Sequence, residues 1–141
     1  MNCLTFDTGV QEFQINGGGV LRFCPGDPNL YQRFLDAQEA FRELEQDLAL
    51  RAKNLPEGDG AAALALLSSA DRSMKELLGQ VFGGENDFDA LLGGVNLLAV
   101  AGNGKRVITN LLDALQPVLA QGAQSCAQQA VDEAKRNRVQ V

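Results

Sequence analysis

The sequence contains no histidine, no tryptophan and a single tyrosine. Without histidine, neither a Ser-His nor a Cys-His nucleophile pair nor an imidazole-held catalytic zinc can be built from this chain alone. Without tryptophan, and with aromatic residues at 6% of the total, the best stacking side chain for bases and sugars is missing as well. Cysteine is scarce too. Cys3, Cys24 and Cys126 are odd in number and share no C-x-x-C spacing, a usage that suits a reducing compartment and incidental thiols better than a disulfide framework. Excess positive charge is absent: 12 Lys and Arg stand against 18 Asp and Glu, a formal charge of −6 that opposes nucleic acid and anionic membranes as partners. The one local exception, Lys135-Arg136-Asn137-Arg138, closes a helical pattern, where basic residues complement the helix dipole. There is no long uninterrupted apolar run, and Met1 to Asp7 lacks the basic region and apolar stretch of a secretory signal, so neither a leader nor a membrane span is expected.

What remains is an ordinary globular composition, 45% hydrophobic and 21% charged over 141 residues, enough for one domain with a sizeable core. The first residues alternate at period two. Leu4 and Phe6, Phe13 and Ile15, and Leu21 and Phe23 predict short half-buried strands, separated by Asp7-Thr8-Gly9 and by Asn16-Gly17-Gly18-Gly19, where Asn-Gly suits a tight hairpin. The expectation is a small antiparallel hairpin or meander over residues 3–24, which must lay its apolar face on something else.

Helices follow. Asp27 can cap and Pro28 suits a first helical turn. Leu30, Phe34, Ala37, Phe41, Leu44 and Leu48 then draw one apolar stripe, expected to face the core. Asn54 to Gly60 breaks the pattern, and Ala61 to Val81 predicts a second helix packed antiparallel to the first. Gly83 to Gly94, GGENDFDALLGG, reads as a short acid-capped helix between two glycine hinges. Val95 to Ala101 predicts a further short helix ended by Gly102-Asn103-Gly104. From Lys105 the pattern is helical again, with Pro117 expected to kink or offset it. The fold class is therefore α+β and mostly α: a hairpin on a helical bundle with a long C-terminal helix. Residues 1–122 form one domain, and the Gln/Ala-rich tail, 123–141, is expected to protrude, fray or order only in an oligomer.

No chemical motif survives inspection. A phosphate-binding loop ending at Lys105 would need glycine at Ala99 and Ser or Thr at Arg106. The dinucleotide pattern from Gly102 meets valine at Val107, with no βαβ context. Glu85, Asp87 and Asp89 have calcium-like spacing, but Ala90 holds the place of the turn glycine and Asn96 that of the bidentate glutamate. Capping a short helix accounts for them better. No carboxylate pair is accompanied by an aromatic sugar platform. No catalytic residue, metal site or cofactor is expected.

One resemblance can be stated. Val10 to Phe23, VQEFQINGGGVLRF, running into a helix with Leu30, Phe34 and Leu35, resembles the start of the tail assembly chaperones of long-tailed bacteriophages. Met74 to Gly94, MKELLGQVFGGENDFDALLGG, with the later helix ending LLDALQPVL (Leu111 to Leu119), is similar to the middle of those proteins in prophages of Gram-positive bacteria. The resemblance covers most of residues 4–119. It implies a non-enzymatic role in the cytoplasm of a bacterial host. Several copies would coat the long helical tape-measure protein, keep it soluble and help tail-tube subunits polymerise around it. On that reading Phe82, Phe88, Leu91 and Leu92, beside the glycines, are the candidate partner-binding residues; the same four also suit a core. Two other functions fit the sequence: a phage structural adaptor or connector forming a homo-oligomer, and a small acidic inhibitor of a host protein. The dispersal of acids among basic residues argues against the second.

Overall fold

The computed structural model describes residues 1–139, with side chains to Asn137. Its elements are β1 (Gln11–Gln14), β2 (Val20–Phe23), α1 (Pro28–Lys53), α2 (Gly60–Phe82), α3 (Phe88–Leu91) and α4 (Val107–Val139). The order is that of a mostly helical α+β protein, with an N-terminal hairpin, a helical bundle and a long final helix.

The hairpin is set by its turn. Asn16 and Gly17 take φ of 49° and 73°, and the Ile15 amide donates to the Gly19 carbonyl at 2.9 Å. β1 and β2 then pair antiparallel, with Gln11 opposite Phe23 and Phe13 opposite Leu21. Leu21 and Phe23 point into the core, while Phe13 stacks on Phe23 with ring centroids 4.7 Å apart.

The strand expected around Leu4 and Phe6 does not form. Residues 1–10 pair with nothing in the chain, and Leu4 and Phe6 stand 93% and 77% exposed. Alternation signals a strand only where an edge is available to pair with, and the arm is carried away from the edge of β1. Gly9 takes φ of 81°, accepts no side chain comfortably beside Cys24 Sγ, and donates its amide to Asp7 Oδ1 at 2.7 Å.

Asp27 caps α1 by accepting the Asn29 amide at 2.9 Å, and Pro28 occupies the first turn. Asp59 caps α2 in the same way through Ala62. The two helices pack antiparallel: Arg33, early in α1, donates to the Val81 carbonyl at the end of α2, 3.0 Å away. Between them lies the core, with Leu30, Phe34, Ala37 and Phe41 from α1 and Met74, Leu78, Val81 and Phe82 from α2. Ile108, Leu115 and Leu119 close it from α4. Each of these side chains other than Ala37 contributes roughly 1.5–3 kcal/mol by leaving water.

Val95 to Ala101 is a second correction, because it forms turns and not a helix. Its backbone serves α4 instead. The amides of Val107 and Ile108, free at the start of that helix, donate to the carbonyls of Ala99 and Leu97 at 2.9 and 2.8 Å, and Val100 bridges Arg106. A helical 95–101 would have spent the Leu97 carbonyl on the Ala101 amide, taking from Ile108 the partner it has at the start of α4. α4 itself continues through Pro117 to Val139, and beyond Leu119 most of its described residues are exposed.

Candidate functional site

The glycine-bracketed segment after α2 holds the four candidate residues. Gly83, with φ of 108°, ends α2, and Asp87 caps α3 by accepting the Asp89 and Ala90 amides at 3.1 and 3.3 Å. Gly94, with φ of 77°, turns the chain away. Phe82 and Phe88 are brought together, their centroids 5.6 Å apart, in an aromatic row that runs from Phe13 through Phe23. Both are core residues, 5% and 3% exposed. Leu91 and Leu92 are half-buried and pack against that core. Leu91 lies directly under the hairpin turn, where a Cβ on Gly19 would come within 2.8 Å of it. Leu92 lines a cleft with Ile15 and Leu111. In this arrangement only the two leucines present any surface to a partner.

The segment is held by two buried polar groups. Asn86 Nδ2 donates to the carbonyls of Arg22 and Phe82, both at 2.9 Å, and its Oδ1 accepts the Arg22 amide at 2.9 Å. Lys75 Nζ meets Asp71 Oδ2 at 2.9 Å, Asp89 Oδ1 at 2.6 Å and the Val95 carbonyl at 2.8 Å. Burial is the largest single influence on the Lys75 ammonium and pushes its pKa down. The hydrogen bonds and charges of Asp89 and Asp71 together outweigh it, leaving the group above its ordinary value. Asp71 Oδ1 in turn accepts the Leu97 amide at 2.7 Å. The buried polar atoms of this cluster are used in tying α2, the segment 86–97 and Arg22 of β2 together, and among the described residues no buried side-chain polar atom lacks a partner. The arrangement is a structural clamp. Among the described residues it leaves no buried hydrogen-bonding atom free for a ligand.

An apolar opening lies elsewhere, at the far end of the helical hairpin. A groove of about 490 Å³ runs between Leu48, Ala52 and Leu55 on one side and Ala63, Leu66 and Leu67 on the other. Its ionisable lining residues are Glu45 and Arg106. On the same helices Leu50 and Leu64 are 61% and 68% exposed. The α1 stripe, expected to be core along its length, is core only as far as Phe41; Leu44 and Leu48 are half-buried because α1 and α2 outrun the elements that cover them. The alanines were the available sequence signal. Ala49, Ala52 and Ala63 provide a shallow wall where a bulky helix contact would need larger side chains. Such a groove suits the apolar face of another helix.

Among the described residues no three Cys, Asp or Glu side chains gather closely enough to hold a metal ion, the three cysteines are free thiols, and no helix is long and apolar enough to cross a membrane. No protein-family model matches the chain, and neither a curated protein nor a solved structure shows significant similarity to it.

Proposed function

We propose that the protein is a non-enzymatic tail assembly chaperone of a long-tailed phage, which binds the helical tape-measure protein and promotes assembly of the tail tube around it. The observation that carries this reading is the apolar groove between Leu48 and Ala52 of α1, Leu55 just beyond it, and Ala63, Leu66 and Leu67 of α2. A long helix kept soluble before tube assembly must have its apolar face covered, and a groove with small residues at its base admits a helix closely. The order of elements supports it too: hairpin, helical hairpin, glycine-bracketed turn and long helix carry the segments that resemble this family.

The test is co-expression with the tape-measure protein encoded near its gene, with the mass of any soluble complex measured by light scattering. A soluble complex with several copies per tape measure, lost on Ala52→Lys while the fold is retained, supports the chaperone. Absence of any complex overturns it. A structural adaptor is the second reading, favoured by the far part of α4: between residues 120 and 137 only Gly122, Ala123 and Cys126 are even half-buried. A closed ring formed without a partner would support that one.

A further inference from the structure

We infer that a trough between the free edge of β1 and α4 receives the N-terminal arm of a second copy of this chain, added beside β1 as a third strand. The inference does not depend on the chaperone reading.

The sheet has two strands and one open edge. The outer edge of β2 is already taken, since Asn86 accepts the Arg22 amide and donates to the Arg22 carbonyl, as a neighbouring strand would. The Arg22 backbone groups thus point away from β1, and those of Glu12 opposite it point away from β2. Glu12 and Gln14 turn their amides and carbonyls outward, unpaired, while Ile15 pairs inward with Gly19. Beyond that open edge lie two clefts of about 540 and 510 Å³. Phe13 lines one with Val118 and Gly122, and Ile15 lines the other with Leu111. No residue lining either cleft carries a charge.

The matching element is the arm. Met1 to Phe6 has no charged side chain, and Leu4 and Phe6 stand two residues apart at 93% and 77% exposure. In an extended strand they fall on one face, roughly 7 Å apart, the same spacing as Phe13 and Ile15, which line the two clefts. The arm does not reach its own β1 edge, because Gly9 lies against Cys24 and carries the chain onward past the end of β2.

The charge pattern selects the occupant. Two copies at −6 repel, so they can meet closely only where neither presents charge, and an ionic partner would leave its charges desolvated and unpaired in this trough. No side chain from Met1 to Phe6 and no residue lining the trough carries a charge.

The test is the mass of the full-length protein by sedimentation and light scattering, for the wild type, Phe6→Asp and Gln14→Pro. Phe6→Asp alters an exposed side chain, and Gln14→Pro removes an outward amide at an edge position that tolerates proline. The expected result is a wild-type assembly of two or more copies. In both variants its dissociation constant rises by more than about tenfold, with the helical circular dichroism unchanged. A wild type of single-copy mass at its highest soluble concentration overturns the inference, as does a Phe6→Asp variant that keeps the wild-type mass. If Gln14→Pro melts the hairpin, Phe6→Asp alone decides.

Discussion

Asn86 pairs with Arg22 as a strand would, accepting its amide and donating to its carbonyl, each at 2.9 Å, across 64 residues of sequence. This contact closes one edge of the hairpin and attaches it to the end of α2, where Asn86 also donates to Phe82. Asn86→Ala would leave the Arg22 backbone groups and the Phe82 carbonyl without partners at a part-buried site. The expected cost is about 2 kcal/mol, measured by chemical denaturation. Asn86→Asp should cost as much or more, because a carboxylate cannot donate to either carbonyl.

At Gly122 the backbone of α4 comes up against the rest of the chain. A Cβ there would run into the Pro25 carbonyl, so the backbone of α4 lies directly on the turn that leads from β2 into α1. Although alanine favours helices over glycine by about 1 kcal/mol, Gly122→Ala should destabilise the protein, since rigid backbone must move to admit it. Gly79→Ala, in α2 with open space at its Cβ position, should instead be neutral or stabilising. Thermal melting of the two variants checks the contrast.

Lys75 makes stability depend on alkaline pH. Its folded pKa lies above the ordinary 10.5, so its contribution is complete below that value and is lost as pH rises through the folded pKa. Denaturation midpoints should hold steady up to about pH 10 and fall beyond it. In Lys75→Met the alkaline step attributable to this group should vanish. The variant should also be less stable by about 3 kcal/mol at neutral pH, because Asp71 is left buried without its cation. Asp89, two-thirds exposed, adds less.

Phe88 and Ala52 separate folding from binding. Phe88 is 3% exposed within the aromatic row, and Ala52 is an exposed residue lining the apolar groove. Phe88→Asp should abolish cooperative unfolding, because an unpaired carboxylate replaces a core aromatic. Ala52→Lys should leave the melting temperature within a degree or two of wild type, a surface change of under about 0.5 kcal/mol, while removing capture of an apolar helix in the co-expression assay.

Much of the architecture was legible locally. Asp27-Pro28 announces the start of α1 and the acids around Asp87 that of α3, and both aspartates cap there, whereas the break over Asn54 to Gly60 located the start of α2 without singling out Asp59, which caps it. Asn16-Gly17 announces the hairpin, and the apolar stripe of α1 names its buried face from Leu30 to Phe41. The candidate residues were less legible. The glycines around Phe82, Phe88, Leu91 and Leu92 mark real turns, but positive φ at Gly83 and Gly94 reports the path of the chain and not which side chains face water. Two of the four complete an aromatic row whose other members lie some 60 residues earlier, on the hairpin.

The sequence by itself determined the local choices: which segments coil, where caps and turns fall, and which chemistry is excluded by having no histidine. These depend on backbone preferences and on neighbours within a turn or two, so they can be read without knowing the fold. Only the tertiary structure decided that Leu4 and Phe6 go unpaired, that residues 95–101 lend their carbonyls to α4, and that the α1–α2 groove stays open. Each of those outcomes depends on whether a distant element arrives to supply an edge, an amide or a covering face, and pairing across such distances is set by packing of the whole chain.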